Sequence, residues 1–206
     1  MKKLSFFTLL LTSLILFSCQ EKKNAGSNND TTSTNKIEGS QLEIQYKALS
    51  DSTEKAWEIM IKSDDQKIAD LTRLLQEITY CKKYNVLLHD SLAEAVGKLS
   101  AQRYDQKIMA SSEKIDLYDD ITNKIIRRVF FLARTTEELS AHPIAETLSR
   151  DIISADNDVV RYRRLYDQWA MQYNSFITQH KSELDALGNP YENLNKKALF
   201  TIGTVQ

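Results

Sequence analysis

The fold is decided by the stretch Ile144–Leu187, IAETLSRDIISADNDVVRYRRLYDQWAMQYNSFITQHKSELDAL. Apolar side chains recur in it every three or four residues, which is the period of an α-helix and not the alternation of a strand. This seam consists of Ile144, Leu148, Ile152, Ala155, Val159, Tyr162, Tyr166, Trp169, Tyr173, Phe176, His180, Leu184 and Leu187. At about 1.5 Å per residue the helix is roughly 65 Å long, so it has to pack against other helices. Pro143 marks its start, and Gly188 followed by Pro190 marks its end.

The segments before this stretch have the same periodicity. One seam comprises Ile115, Tyr118, Thr122, Ile125, Val129, Leu132, Thr136 and Leu139. An earlier one comprises Leu42, Tyr46, Leu49, Thr53, Trp57, Met60, Asp64, Ile68, Leu71, Leu75 and Ile78. An unbroken helix from residue 41 to 103 would be roughly 90 Å long, so we expect a break near Tyr84, where Asn85 can cap a new helix. The predicted helices are 41–84, 86–109, 113–140 and 144–187. Their short connections predict an all-α fold, an antiparallel up-and-down bundle of about four long helices over residues 41–190.

Composition agrees with a helical protein. The 206 residues include only five glycines and two prolines, which argues against a turn-rich β-sandwich and against a proline-rich disordered chain. The charged fraction is 27% and the hydrophobic fraction 42%, as in a folded domain. Because 27 basic side chains balance 28 acidic ones, no nucleic-acid partner is expected.

The N-terminus has the features of an export signal. Lys2 and Lys3 precede an uncharged stretch from Leu4 to Phe17, which is too short to cross a bilayer as a helix. Leu16-Phe17-Ser18-Cys19 resembles a bacterial lipobox, in which the chain is cut before the cysteine and the cysteine is acylated. We therefore predict a lipoprotein signal peptide at 1–18 and lipidation of Cys19. The alternative is a short transmembrane anchor that is retained.

Two segments flank the predicted bundle. Residues 19–40 comprise the acylated cysteine and a stretch rich in Asn, Ser and Thr, which predicts a flexible tether. Residues 191–206 are predicted to be a C-terminal tail that is partly ordered. If Cys19 carries a lipid, Cys81 is the remaining cysteine and no intramolecular disulfide can form. Cys81 is interpreted as a half-buried helix residue, with a reactive thiol or an intermolecular bridge as the alternative.

Two of the predicted helices resemble those of the LemA-like family. Ala56-Trp57 followed by a leucine-rich stretch is similar to the first long helix of that family. Arg163-Arg164-x-Tyr166 and Tyr173-Asn174 are similar to the motifs of its last helix. The chain departs from the family at Asp167, which replaces an Asn, and at Leu199-Phe200, which stands near the place of a Phe-Gly-Phe close. The resemblance implies a bundle of long antiparallel helices at a membrane and implies no activity.

Motifs for catalysis, cofactors or metals are missing from the sequence. The five glycines are scattered, so no phosphate-binding loop is present. His89, His142 and His180 are too far apart for a zinc motif. We therefore predict no enzymatic activity, no catalytic residues, no cofactor and no metal.

Three other patterns have structural and functional interpretations. The aromatic residues from Tyr162 to Phe176 form a bundle core or, alternatively, a platform for a ligand. The arginines, Arg161, Arg163 and Arg164 together with Arg127 and Arg128, form ion pairs on a solvated face or bind anions. At Asp64, either a polar residue fixes the helix register or the helix drifts so that Ile61 faces inward, and drift is the favoured interpretation.

Together these patterns predict a membrane-tethered helical interaction or scaffold module of the bacterial cell envelope. The lipid on Cys19 would hold it to a membrane, on the periplasmic or the surface face, and its partner would be a protein. The alternative is a binding protein that holds a small apolar or sugar ligand between helices, lined by Tyr and Trp side chains.

Overall fold

The computed structural model of the chain describes residues 31–110 and 112–200. The α-helices are α1 Thr31–Thr79, α2 Val86–Gly97, α3 Leu99–Gln102, α4 Ser112–Thr135, α5 Pro143–Gln179 and α6 Lys181–Ala186. Short 3-10 helices at Ile108–Ala110 and Glu137–Ala141 precede α4 and α5. These two described ranges contain helices and no strand, which confirms the prediction of an all-α fold.

Several predictions fall on other parts of the chain. The signal peptide at 1–18, Cys19 and the first residues of the tether lie outside the described residues. Residues 31–40, the last part of the predicted tether, form the first turns of α1. Among the helices that the structure describes, none is both long enough and apolar enough to cross a membrane.

The two longest helices, α1 and α5, run antiparallel. Contacts between them pair rising residue numbers in α1 with falling numbers in and just before α5. The pairs are Tyr46 with Tyr173, Trp57 with Tyr166, Lys67 with Asp156, and Glu77 with His142. The two helices therefore lie side by side over more than 30 residues of α1, as their apolar seams require.

Local signals define the helix ends as predicted. The side chain of Asn85 accepts a hydrogen bond of 3.0 Å from the backbone N–H of Leu88, so Asn85 caps α2. Pro143 occupies the first turn of α5, where its missing N–H costs nothing. Gly188 follows α6 with φ of 75°, a conformation that favours glycine.

The predicted helix ends differ from the observed ones in several places. The helix predicted at 41–84 ends at Thr79, and the helix predicted at 144–187 is divided at His180 into α5 and α6. The helix predicted at 86–109 ends as α2 and α3, because Arg103 takes an extended conformation with ψ of 143°. The helix predicted at 113–140 ends at Thr135, and the hydroxyl of Thr136 bonds to the carbonyl of Leu132 at 2.9 Å. The Arg103 side chain bonds to Asp65 of α1, and the 3-10 helix Glu137–Ala141 follows Thr136.

The C-terminal segment 188–200 packs back along α5. The side chain of Asn174 bonds to both the N–H and the carbonyl of Lys197, at 2.7 and 2.8 Å. The carboxylate of Asp167 accepts the N–H of Phe200 at 2.8 Å, and the Phe200 side chain is buried. This segment thus adds an aromatic side chain to the core beside Trp57 and Tyr166.

Candidate functional site

A buried polar cluster lies where α1, the segment after α3, α4 and α5 meet. Each of these elements contributes charged or hydroxyl-bearing side chains to it. The members are Asp64 and Lys67 of α1, Arg103 and Tyr104 after α3, Tyr118, Asp119 and Thr122 of α4, and Asp156 and Arg163 of α5. We call this set the polar cluster.

Asp64 is the central acceptor of the polar cluster. Its two carboxylate oxygens lie 3.3 Å from Lys67 Nζ, 2.5 Å from the hydroxyl of Tyr118 and 2.7 Å from Arg103 Nε. The Arg103 Nε contact has the distance of an ion pair but not the alignment of a hydrogen bond. Lys67, only 2% exposed, also reaches Asp156 at 3.3 Å. Every charge at this point therefore has an opposite charge beside it, as burial requires.

These contacts shift the acidities of Tyr118 and Arg103. Burial raises the pKa of Tyr118, and the neighbouring Asp64 charge raises it further, so the phenol stays protonated. For Arg103, burial alone would lower the pKa, but the hydrogen bond to Asp65 and the Asp64 charge outweigh burial and raise it. The Arg103 guanidinium donates to Asp65 at 2.5 Å.

Arg163 forms the second half of the polar cluster. Its guanidinium binds the Asp119 carboxylate through two hydrogen bonds of 2.7 Å, the bidentate geometry in which arginine pairs best. It also donates to the hydroxyl of Tyr104 at 2.9 Å and lies 5.2 Å from the ring centre of Phe200. Arg163 therefore connects α5 to α4, to the segment after α3 and to the C-terminal segment.

The polar cluster surrounds a cavity of about 170 Å³. Three polar atoms of its lining residues are buried and have no hydrogen-bond partner within 31–110 and 112–200: Arg103 Nε, Thr122 Oγ1 and Arg163 Nε. A buried donor without a partner costs about 1–3 kcal/mol, so Thr122 Oγ1 and Arg163 Nε need an explanation, whereas Arg103 Nε is within ion-pair distance of Asp64. The formal charge of the lining is zero, because three cations face three carboxylates.

The polar cluster is better suited to binding a ligand than to catalysing a reaction. In the part of the chain that the structure describes, no three His, Cys, Asp or Glu side chains are placed to hold a metal ion. Asp64 and Asp119 are both paired with arginine side chains. The cluster can therefore donate and accept hydrogen bonds to a small molecule.

The structure separates the arginines that the sequence grouped. Arg161 is exposed and pairs with Asp158 one turn away at 3.0 Å, as the interpretation of ion pairs on a solvated face expects. Arg163 is instead buried, and its partner is Asp119 of α4. Spacing along α5 could not reveal this partner, because the two residues are 44 positions apart.

The interpretation of α1 as drifting at Asp64 is wrong. Asp64 is only 8% exposed and faces the core, whereas Ile61 is half-buried beside it. The carboxylate can face inward because Lys67, Arg103 and Tyr118 satisfy it. Lys67 was missed by the sequence analysis, although its place three residues after Asp64 was a possible signal.

The aromatic seam of α5 packs as core. Tyr166 and Tyr173 are almost fully buried, and Trp57 lies 5.5 Å from the Tyr166 ring. Of the seam's aromatic residues, Tyr162 is the one that lines the cavity of the polar cluster. Cys81 is buried just after α1, and burial together with the nearby Glu138 and Glu77 raises the pKa of its thiol.

A second feature, this one on the surface, lies near the C-terminal end of α1. The turn after α1 and the turn after α4 meet there, since Glu138 accepts the N–H of Lys82 at 2.9 Å. Large apolar side chains are exposed around these turns, with fractional exposures of 62% for Tyr80, 52% for Val86, 86% for Leu87 and 54% for Phe131. We call these four residues the apolar tip.

Comparisons with protein-family models, with curated proteins and with solved structures found no match for the chain.

Proposed function

We propose that the protein is a lipid-anchored helical module of the bacterial cell envelope that presents the apolar tip to a protein partner. The observation that supports this proposal is the exposure of Tyr80 and Leu87 after the end of α1 and of Phe131 near the end of α4. Exposed leucines that occur singly need no explanation, whereas a group around two adjoining turns is typical of a binding surface.

The position of the apolar tip fits attachment at the other end. α1 has 49 residues, so at 1.5 Å per residue Thr31 and Thr79 are about 70 Å apart. Cys19 precedes Thr31 by only twelve residues. A lipid on Cys19 would therefore hold the start of α1 near the membrane and leave the tip far from it.

We further propose that α1, α2, α4 and α5 form an antiparallel up-and-down bundle. The α1–α5 pairing supports it, and side chains of α2 and α4, among them Ser91, Ile121 and Arg128, line one groove. The LemA-like resemblance stays a prediction. So do the absence of enzymatic activity and of a nucleic-acid partner.

Site-specific photo-cross-linking in cells tests the partner surface. A photo-reactive amino acid placed at position 87 or 131 should cross-link to the same protein. The matched control is position 117, because Leu117 is also about half exposed but lies near the start of α4. If positions 87 and 131 have no product in common that position 117 lacks, the tip is not a partner surface.

Loss of affinity gives a second test of the same surface. Burying a leucine side chain contributes about 1.5–3 kcal/mol, so Leu87→Asp should weaken binding to the cross-linked partner at least about tenfold. Leu117→Asp should leave the affinity unchanged. Equal effects of the two substitutions would contradict the proposal.

Fractionation tests the anchor independently. Cys19→Ala should release the protein from membranes or leave the signal uncut, while Cys81→Ala should fractionate as the wild-type protein does. A mass spectrum of the wild-type protein should show an acylated residue 19 at its start. A Cys19→Ala variant that stays in the membrane fraction after normal processing would refute the anchor.

A further inference from the structure

We infer that the cavity of the polar cluster is a binding site for a neutral, polyhydroxylated molecule with a single six-membered ring, such as a monosaccharide or a cyclitol. Its volume of about 170 Å³ sets the size of the ligand. An apolar cavity of about 150 Å³ can hold benzene, so a six-membered ring fits, whereas drug-sized ligands occupy about 300–1,000 Å³.

Charge balance selects a neutral ligand. Lys67, Arg103 and Arg163 face the carboxylates of Asp64, Asp119 and Asp156, and each cation lies within 3.3 Å of a carboxylate oxygen. An anionic ligand would have to compete with these carboxylates for the arginines, and a cationic ligand with the arginines for the carboxylates. A hydroxyl group avoids this competition, because it adds no charge.

Buried polar atoms that have no hydrogen-bond partner indicate that the ligand carries hydroxyl groups. Arg163 Nε can only donate and has no hydrogen-bond partner among the residues that the structure describes, whereas Arg103 Nε already lies 2.7 Å from a carboxylate oxygen of Asp64. The hydroxyl of Thr122 is also unpartnered there, and Thr122 is only 3% exposed. Asp119 and Asp156 keep about a third of their side chains exposed and can accept further hydrogen bonds. Neighbouring hydroxyls of one ring match these donors and acceptors, because each hydroxyl can accept a hydrogen bond from one side chain and donate one to another.

Aromatic and aliphatic side chains form the apolar part of the cavity wall. Tyr104, Tyr118 and Tyr162 line the cavity together with Met60. Tyrosine rings offer an apolar face beside polar groups, which suits a ring whose C–H groups and hydroxyls alternate. The site therefore combines apolar contact, buried donors and spare acceptors in one place.

Saturation-transfer difference NMR on the mature full-length protein tests this inference. The probes are D-glucose, D-galactose, D-mannose and myo-inositol, with inorganic phosphate as the anionic comparator. At least one neutral probe should bind, and intermolecular NOEs should connect its ring protons to Tyr104 or Tyr118. The methyl glycoside of the bound sugar distinguishes two sources of the ligand. A site for a free sugar would exclude the added methyl group, whereas a site for the terminal unit of a glycan would accept it.

A matched pair of variants locates the site. Thr122→Val removes the unpartnered hydroxyl with little change in shape and should weaken binding about fivefold or more. Thr72→Val removes an exposed hydroxyl that bonds only to the carbonyl of Ile68, and should leave the affinity unchanged. If Thr122→Val fails to fold, the NOEs of the wild-type protein decide.

Three results would overturn the inference. The first is that no neutral probe binds at 50 mM. The second is that phosphate alone binds, and the third is that a probe binds equally well to wild type and to a folded Thr122→Val variant.

Discussion

Two Tyr→Phe substitutions should change stability in opposite directions. The hydroxyl of Tyr166 is fully buried and has no hydrogen-bond partner within the described parts of the chain. The hydroxyl of Tyr118 is also buried but donates to Asp64 at 2.5 Å. Because the same oxygen atom is removed in both cases, the difference in outcome isolates the effect of its partner.

The expected magnitudes follow from these surroundings. A buried hydroxyl without a partner costs about 1–3 kcal/mol, so Tyr166→Phe should raise the free energy of unfolding by about 1 kcal/mol or more. A hydrogen bond to a charged group contributes about 1.5–3 kcal/mol, so Tyr118→Phe should lower the free energy of unfolding by about that amount. For a chain of this size, each kcal/mol corresponds to about 2–4 °C in Tm.

Urea denaturation followed by far-UV circular dichroism measures both effects. The slope of unfolding free energy against urea concentration should be the same for wild type and both variants, so that the midpoints report stability alone. If Tyr166→Phe destabilises the protein as much as Tyr118→Phe does, the Tyr166 hydroxyl has a partner and the reasoning is refuted.

Alkaline pH tests Tyr166 in another way. Burial first, and then the charges of Glu54 and Asp167, raise the pKa of Tyr166 to about 12, against about 10 in an unfolded chain. Above pH 10 the unfolded state therefore loses the proton first, and the stability of the folded state falls as the pH rises towards 12. The shift corresponds to at most about 3 kcal/mol. Tyr166→Phe should make this fall shallower, and an unchanged pH dependence would contradict the assignment.

Three further predictions concern other parts of the chain. Gly97→Ala should raise the free energy of unfolding by about 0.5–1 kcal/mol, because a Cβ atom there meets nothing within 4 Å and glycine costs backbone entropy; calorimetry that finds a loss would contradict it. The Cys81 thiol should react with a disulfide reagent at least about tenfold more slowly in the folded protein than in urea, because burial raises its pKa; equal rates would show that it is accessible. Phe200→Ala should lower the free energy of unfolding by about 3 kcal/mol, since the ring is 4% exposed beside Trp57, whereas Glu192→Ala should have no measurable effect in the same urea titration.

Much of the local structure was predictable from the sequence because its causes are local. The spacing of apolar residues indicates the period of a helix. Helices begin or end at Asn85, Pro143 and Gly188 through interactions within a few positions. These signals do not depend on which helices later meet. The predicted ends that differ include the one at Arg103, where the backbone becomes extended, and the one at Thr135, whose hydroxyl bonds to the carbonyl of Leu132.

The assembly of the polar cluster was decided by the tertiary structure. Asp64 and Ile61 both fit a spacing of three or four residues, and only the arrival of Arg103 and Tyr118 makes the carboxylate stable inside. Arg163 likewise finds Asp119 across a gap of 44 positions. A buried charge is tolerated only where its partners converge on it from several elements, and the order of residues in one helix does not say which faces will meet.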